Sequence, residues 1–380
     1  MDRRAFIQSG LASMLMWQVS PAWSVTNVES KPKKNLIWVV LRGALDPLHT
    51  IVPRNDNDLM ALRPTLYPAI KDQLLALNND FGFHPKLANL HTLYQNKQCL
   101  PIVAVSSGYQ NRSHFEGQDH LETGQAINDT NNGWLARAID VQQSKALALA
   151  NATPVSLRGS RNASTWYPNN LKDADEELYS QLSKMYQNDE SLLTSLEKGL
   201  ELKGLVNKQD KTNKTGKFAA LCKNCGELMI QSADINCAML EVGGWDTHNR
   251  QANRLNQQLA MLDEGLLQLK TSLAHEWDNT IVVVATEFGR TAKENGTQGT
   301  DHGSASAMLL LGGKVNGGQV LGKWPGLKPQ ELFEGRDVMP TSNSFGWLAA
   351  VLQQHWQFSK QDLQQVFKLN DSYPYPVIRV

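Results

Sequence analysis

The sequence predicts a layered α/β protein built on a largely parallel sheet. The continuous apolar runs Asn35–Leu41 and Thr280–Ala285 lack the alternation of a half-exposed strand, so they indicate strands buried on both faces. Segments with apolar residues at helical spacing lie between such runs, and Gln251–Leu273 is the longest of them. Strands that alternate with helices are typical of α/β sandwiches.

The elements follow one another along the chain. Short apolar runs predict strands at 35–41, 100–105, 154–157, 235–242, 280–285 and 305–311. Amphipathic segments predict helices at 87–95, 113–123, 251–273 and 344–353, and Gly124 is a stop signal for the second of these. Residues 172–232 are charged and mostly helical in pattern, which predicts a helical insertion in a main domain that spans 35–380.

Composition excludes two classes of protein. The chain has 380 residues, of which 41% are hydrophobic and 19% charged, so it has enough apolar surface to fold rather than remain disordered. Its 37 Lys and Arg residues balance 37 Asp and Glu residues. A neutral chain lacks the basic field that gathers phosphates, so we expect no nucleic-acid partner.

The first residues predict export. Arg3 and Arg4 precede an apolar stretch at 11–19, and small residues end at Ser24, a pattern typical of a twin-arginine signal peptide at 1–24. Residues 25–34 are polar and form a predicted linker. The apolar stretch is too short for a membrane span. We therefore expect the twin-arginine export machinery as a partner and a periplasmic or otherwise exported protein. The alternative is a short amphipathic helix.

Four cysteines, Cys99, Cys222, Cys225 and Cys237, allow a second reading of the chemistry. The spacing of Cys222 and Cys225 is that of a redox motif, but the segment has a helical pattern rather than a strand-to-helix turn. We expect these cysteines to be structural or simply buried. A redox function remains the minor alternative.

Five loops next to predicted strands carry carboxylate, imidazole or hydroxyl groups, and in α/β folds ligands gather beyond the carboxyl ends of strands. Asp, Glu and His are ligands for divalent metals, so the sequence predicts a metal site with Zn, Mn, Ca or Mg not distinguished. Ser113 would be a metal-activated nucleophile at a helix N-terminus, and Arg112 would steady an anion. The candidate catalytic residues are Ser113, Arg112 and His114, and the candidate metal ligands are Asp46, Asp246, His248, Glu287, Asp301 and His302.

Each of these residues also has a structural interpretation. Ser113 and Glu116 have the spacing of a helix capping box. Asp246 follows two glycines and has the position of a turn residue. Glu287 could pair with Arg290. The prediction of a site depends on the coincidence of five loops rather than on any single residue.

Six stretches of the chain together resemble an uncharacterised exported bacterial family, the domain of unknown function 1501. They are Leu41–Asp46, Arg112–Asp119, Glu122–Gly124, Gly243–His248, Thr286–Thr291 and Gly299–Gly303. The resemblance extends from about Asn35 to Phe367, and the family is itself similar to alkaline phosphatases and arylsulfatases. It implies an alkaline-phosphatase-like three-layer α/β/α sandwich and metal-assisted hydrolysis of phosphate or sulfate esters.

The resemblance also implies roles for residues. Asp46 matches an early metal ligand, Ser113 the nucleophile, and His302 a late histidine ligand. Glu287 stands where the superfamily has an aspartate followed by a histidine, so one histidine ligand is missing here. Pro47 replaces a glycine of relatives, and proline fixes φ and removes an amide donor.

Two functions are therefore expected from the sequence. The first is a metal-dependent hydrolase that acts on a small-molecule anionic ester. The second is a non-catalytic exported protein that uses a degenerate hydrolase fold for binding or as a scaffold.

Overall fold

The computed structural model describes residues 33–124, 129–168, 176–205, 217–368 and 373–379. The predicted signal peptide and most of the predicted linker lie outside these residues. Residues 34–380 form one unit around an eight-stranded sheet, which a small three-stranded sheet accompanies. None of the described helices is both long and apolar enough to cross a membrane.

The strands of the main sheet lie in the order β11-β5-β10-β9-β1-β8-β6-β7, and those of the small sheet in the order β2-β4-β3. In chain order the strands are β1 (Asn35–Leu41), β2 (Ile51–Pro53), β3 (Leu75–Ala76), β4 (Phe81–Phe83), β5 (Cys99–Ser106), β6 (Lys145–Ala148), β7 (Ala163–Thr165), β8 (Ile235–Val242), β9 (Thr280–Thr286), β10 (Ser306–Leu311) and β11 (Ser342–Asn343). The described helices are α1 (Pro47–Thr50), α2 (Leu59–Leu62), α3 (Ala88–Gln95), α4 (His114–Thr123), α5 (Trp134–Gln142), α6 (Glu176–Met185), α7 (Glu190–Leu205), α8 (Lys217–Gln231), α9 (Gln251–Leu273), α10 (Ser344–Val351) and α11 (Lys360–Phe367).

Helices cover both faces of the main sheet, which confirms the predicted layered α/β class. Alternate residues of β1 belong to two separate cores, with Val39 in one and Trp38 in the other. The first core includes residues of α3, α8 and α9, and the second includes residues of α5, α10 and α11. Every residue of β1 and β9 is buried, as the continuous apolar runs predicted.

The direction of the strands brings several loops to one edge. Strands β1, β8 and β9 are mutually parallel, whereas β10 runs antiparallel to its neighbours β5 and β9. Since both β5 and β9 oppose β10, β5 is parallel to β9. The segments after β1, β5, β8 and β9 therefore meet at the same edge as the segment that precedes β10.

One predicted strand is a turn in the structure. Residues Val155–Leu157 form a single 3-10 turn rather than a strand. The physical reason is that buried Glu122 accepts hydrogen bonds from both the amide and the hydroxyl of Ser156, so that amide is not available to pair with a neighbouring strand.

The predicted helical insertion contains the helices α6, α7 and α8, and α8 packs into the first core. Residues 169–175 and 206–216 of that region lie outside the described residues.

The cysteines are buried, as expected. All four are free thiols within the described residues, and Cys222 and Cys225 lie on α8 in the first core. Burial raises the pKa of each thiol above its ordinary value, so the reactive thiolate is suppressed. This environment does not favour the redox alternative.

His355 makes the stability of the fold depend on pH. Burial lowers its pKa from 6.5 to about 4, although its Nε2 bonds to the carbonyl oxygen of Asn35 at 2.9 Å. Between these two values the unfolded chain binds more protons, so folding stability falls as the pH drops from 6.5 to 4. We expect a loss of roughly 3 kcal/mol from this residue alone.

Urea denaturation at pH 7 and pH 4 measures this contribution. His355→Gln keeps a side-chain donor but does not titrate. Between pH 7 and pH 4, the free energy of unfolding of this variant should therefore decrease by about 3 kcal/mol less than that of the wild type. His275→Gln is the matched control, because that histidine side chain is 78% exposed. Equal pH dependence in the wild type and in His355→Gln would contradict the assignment.

Candidate metal centre

Three imidazoles converge on one carboxylate at the shared edge of the sheet. The Oδ1 atom of Asp246 lies 3.0 Å from Nε2 of His248, 3.3 Å from Nε2 of His302 and 3.4 Å from Nε2 of His114. His114, Asp246 and His302 each offer a ligand atom within 4.8 Å of the others, a spacing that could hold a metal ion. We call these four residues the histidine group. Four of the nine predicted site residues thus lie together.

Each imidazole of the histidine group is fixed by its other nitrogen. Nδ1 of His114 lies 2.8 Å from Glu287, Nδ1 of His248 lies 3.2 Å from Asp301, and Nδ1 of His302 lies 2.9 Å from the carbonyl oxygen of Arg112. Carboxylate and carbonyl oxygens only accept hydrogen bonds, so each Nδ1 carries a proton, and in the neutral imidazole Nε2 then offers the lone pair that a metal would take. Metal-binding histidines in proteins have this arrangement.

The Nε2 atoms of the histidine group lie close enough to one another to share a cation or a proton. Nε2 of His248 and Nε2 of His302 are 3.0 Å apart, which is a hydrogen bond when one of them carries a proton. Nε2 of His114 is buried and makes no hydrogen bond to any described residue. A cation held by His114, Asp246 and His302 would give that nitrogen a partner, and imidazoles with one carboxylate suit borderline ions such as Zn²⁺.

The surroundings shift the pKa values of His302 and His114 in opposite directions. Burial lowers the pKa of His302, and the neighbouring His114 lowers it further, which keeps the lone pair of His302 available. Burial also opposes a charge on His114, but the hydrogen bond and the charge of Glu287 outweigh it and raise the pKa of that imidazole. A proton therefore favours His114 over His302.

Arg290 is a part of the site that the sequence did not identify. Its fully buried guanidinium donates to Oδ1 of Asp246 at 2.5 Å and to four backbone carbonyls. Burial would raise the pKa of Asp246, but the hydrogen bond and charge of Arg290 lower it. The predicted alternative, a pair between Glu287 and Arg290, is wrong because the guanidinium is directed to Asp246. The sequence offered one signal for this role, since Arg290 is a charged residue shortly after the buried strand β9.

Glu287 lies behind the histidine group rather than in it. One of its oxygens accepts from the amide of Gly43, from Nδ1 of His114 and from the amide of Gln118. Burial opposes its charge, but these hydrogen bonds lower the pKa of Glu287 below its ordinary value. Predicted as a metal ligand, it instead orients His114. Asp301 likewise holds His248.

Asp46 is not brought into the histidine group. Both of its oxygens bond to the buried guanidinium of Arg63, at 2.7 and 3.1 Å, and one also caps α1 through the amide of Leu48. Pro47 explains this capping role, because proline is favoured in the first turn after a capping aspartate. The carboxylate therefore has a complete set of partners elsewhere, which argues against the predicted role as a metal ligand.

The backbone at Arg112 and Ser113 borders the histidine group. Arg112 was predicted to bind an anion. Its guanidinium instead pairs with two carboxylates, Asp337 at 2.9 Å and Glu334 at 2.5 Å, which would compete with such an anion. Ser113 is the N-cap residue of α4, but its side chain makes no capping bond. The capping box is not formed, since Glu116 instead accepts from the hydroxyl of Tyr109.

Gly43 allows the loops to approach closely. It has a φ of +118°, and a Cβ atom there would lie 2.6 Å from the amide nitrogen of Asp246. Any side chain would thus push the loop after β1 away from the loop after β8. Phe288 provides further support, since its ring stacks on His114 with 5.0 Å between ring centres.

The fold and this site define a class: a layered α/β protein with a histidine–carboxylate group able to hold a metal ion at the edge of its sheet. Residues 33–367 match the family described as "Protein of unknown function (DUF1501)", and the chain belongs to that family. A search of curated proteins found no match.

Solved structures with a partial likeness include a phosphatase, a sulfatase and a phosphonate hydrolase. An alkaline phosphatase from the Antarctic bacterium TAB5 has a TM-score of 0.37 and 13% identity over 89% of this chain and 99% of its own. A sulfatase from Pseudoalteromonas sp. has a TM-score of 0.37 and 12% identity over 77% of this chain and 66% of its own. A phosphonate monoester hydrolase from Silicibacter pomeroyi has a TM-score of 0.38 and 10% identity over 76% and 70%.

Removing one imidazole of the histidine group should abolish tight Zn²⁺ binding. We expect His302→Ala to lower the affinity for Zn²⁺ by more than about 100-fold. This loss exceeds the usual effect of removing a residue that only contacts a metal ligand. Competition with a chromophoric chelator measures the affinity. His275→Ala is the control, since that side chain is 78% exposed. Unchanged affinity in His302→Ala would show that the metal is bound elsewhere.

Glu287 should act on the metal only through His114. Glu287→Gln removes the charge that holds Nδ1 of His114, so we expect Zn²⁺ affinity to fall by about 10- to 100-fold. The same chelator titration distinguishes this partial loss from the larger one of His302→Ala. A loss as large as that of His302→Ala would instead identify Glu287 as a direct ligand.

Proposed function

We propose that this protein is an exported, metal-dependent hydrolase of phosphate or sulfate esters. The observation that carries the proposal is the histidine group, with three Nε2 atoms within 3.4 Å of Oδ1 of Asp246. His114, Asp246 and His302 would hold the ion, and His248 lies beside them, 3.0 Å from Oδ1 of Asp246. When bound, the metal supplies a Lewis acid that polarises an ester oxygen and favours deprotonation of a hydroxyl. The export part of the proposal depends on the pattern of residues 1–24.

Ser113 is the proposed nucleophile. It lies between Arg112, whose carbonyl oxygen accepts from His302, and His114 of the histidine group. Its side chain makes no capping bond, so the hydroxyl is not committed to the helix amides. Attack of its oxygen on phosphorus or sulfur would release the alcohol, and water would then cleave the ester formed on Ser113. The free amides at the start of α4 favour an anion there.

Arg290 supports a site for one metal ion rather than two. Its buried guanidinium is 2.5 Å from Oδ1 of Asp246 and already supplies a positive charge beside that carboxylate. Asp46, the other aspartate predicted as a ligand, is neutralised by Arg63. A pair of metal ions would therefore have too few ligands, because only the free side of Asp246 and the three imidazoles are available to bind them.

The same observations favour a second candidate, a non-catalytic binding or scaffold protein. Asp46 is paired with Arg63, and the guanidinium of Arg112 is paired with Asp337 and Glu334. A protein in which these groups serve only structure would keep the histidine group for binding. Turnover that depends on Ser113 separates the two candidates.

Ser113→Ala should abolish turnover without loss of the metal. We expect hydrolysis of aryl phosphate or aryl sulfate esters to fall by at least about 1,000-fold, because no nucleophile remains, while Zn²⁺ affinity stays unchanged. The measurements are product release and chelator competition on protein loaded with Zn²⁺ or Mn²⁺. Ser113→Thr is the matched control, since it keeps the hydroxyl. Equal turnover in wild type and Ser113→Ala would refute the nucleophile, and absence of turnover in the loaded wild type would favour the binding protein.

A further inference from the structure

A cleft with a neutral lining shares two segments of the chain with the histidine group. Its volume is about 280 Å³, and hydroxyl, amide and aromatic side chains contribute to its walls, among them Ser106, Tyr109, Gln110, Phe333, Thr341 and Asn343. No lysine, arginine, aspartate or glutamate belongs to its lining within the described part of the chain. We call this space the neutral cleft.

The neutral cleft shares its loops with the histidine group. The ring of Tyr109 stacks on Phe288 with 6.4 Å between centres, and Phe288 in turn stacks on His114 at 5.0 Å. Gly117 makes this packing possible, because a Cβ atom there would come within 3.1 Å of both aromatic rings. Ser304, which also lines the cleft, is only two residues from His302. The cleft and the histidine group therefore share the segment that follows β5 and the segment that precedes β10.

Charged groups next to the cleft lining are held by partners. Arg112 pairs with Asp337 and Glu334, the hydroxyl of Ser304 donates to Asp337 at 3.0 Å, and Glu116 accepts from the hydroxyl of Tyr109 at 2.8 Å. The lining offers no counter-ion to a second charged group on a ligand, and the carboxylate of Glu116 disfavours an anion beside Tyr109.

A second cleft has a charged lining. It also measures about 280 Å³, but Lys293, Glu294, Asp301 and Arg336 line it. Asp301 connects this charged cleft to the histidine group through Nδ1 of His248. The histidine group is thus linked to one cleft with a neutral lining and to one with a charged lining.

We infer that the neutral cleft binds the uncharged, polyhydroxylated alcohol part of the substrate, a sugar without further charged groups. Hydroxyl and amide side chains exchange hydrogen bonds with sugar hydroxyls, and an aromatic ring packs against the apolar face of a sugar. This inference rests on the proposed hydrolase function, and it narrows the substrate class to phosphate or sulfate esters of otherwise neutral sugars.

Sugar binding is measured without any turnover. Saturation-transfer NMR on the full chain uses four neutral probes, namely maltotetraose, cellotetraose, mannotetraose and galactotetraose, and one charged probe, tetragalacturonic acid. We expect at least one neutral probe to bind in the millimolar range and the charged probe to bind about 10-fold more weakly or not at all. Ser113→Ala should bind the neutral probe as the wild type does.

Variants locate the bound sugar. Tyr109→Ala should raise the Kd of the neutral probe by about 10-fold or more, whereas Tyr109→Phe, which keeps the ring, should stay within about 3-fold. Phe333→Ala tests the opposite wall and should also weaken binding. Tyr375→Ala is the control, because that exposed ring stacks on Trp347 and is absent from the cleft lining.

The outcomes separate the two proposals. Stronger binding of the charged probe, failure of every neutral probe, or unchanged Kd in both Tyr109→Ala and Phe333→Ala would overturn the assignment of the neutral cleft. If the protein still hydrolysed aryl esters in those cases, the proposed hydrolase function would be retained. Sugar binding by a metal-loaded protein without turnover would instead refute the hydrolase and retain the cleft.

Discussion

The guanidinium of Arg290 is buried among three loops and donates to acceptors from each of them. It bonds to the carbonyls of Gly43 and Ala44 after β1, to Trp245 and Asp246 after β8, and to Thr300 before β10. A rigid, planar cation is suited to this task because it offers five donors in a fixed geometry. With the guanidinium in place, the loops cannot separate without leaving a charge buried and unpaired, which is strongly unfavourable. The positions of the imidazoles and of Asp246 depend on this constraint.

Every carboxylate of the region has a distinct partner, and the partner decides its role. Asp46 is balanced by Arg63 and serves the fold, while Glu287 and Asp301 each hold the Nδ1 atom of one histidine. Only Asp246 presents an oxygen to three Nε2 atoms at once. Buried charges need such partners, and this distribution leaves Asp246, with His114 and His302, as the group that could hold a cation. One cleft linked to this group has a neutral lining, and another has a charged lining.

The sequence predicted the central strands well because complete burial leaves a strong signal. Strand β1 and helix α9 have the predicted bounds, and β8 also matches. The short strands β6 and β7 at one end of the main sheet were missed, since four- and three-residue segments carry too few apolar positions to be recognised. The turn at Val155–Leu157 was predicted as a strand because its hydrogen bonds to Glu122 come from a residue distant in sequence.

By itself, the sequence determined that several polar loops follow buried strands, and hence that imidazoles and carboxylates gather at one edge of a layered α/β fold. The four residues of the histidine group were all among the predicted site residues, because strand ends are visible in the apolar pattern. Only the tertiary structure decided which carboxylate faces the imidazoles. That choice depends on two arginines, Arg63 and Arg290, whose long side chains reach partners far away in the sequence. It also depends on the antiparallel direction of β10, which brings His302 to the edge where the parallel strands end.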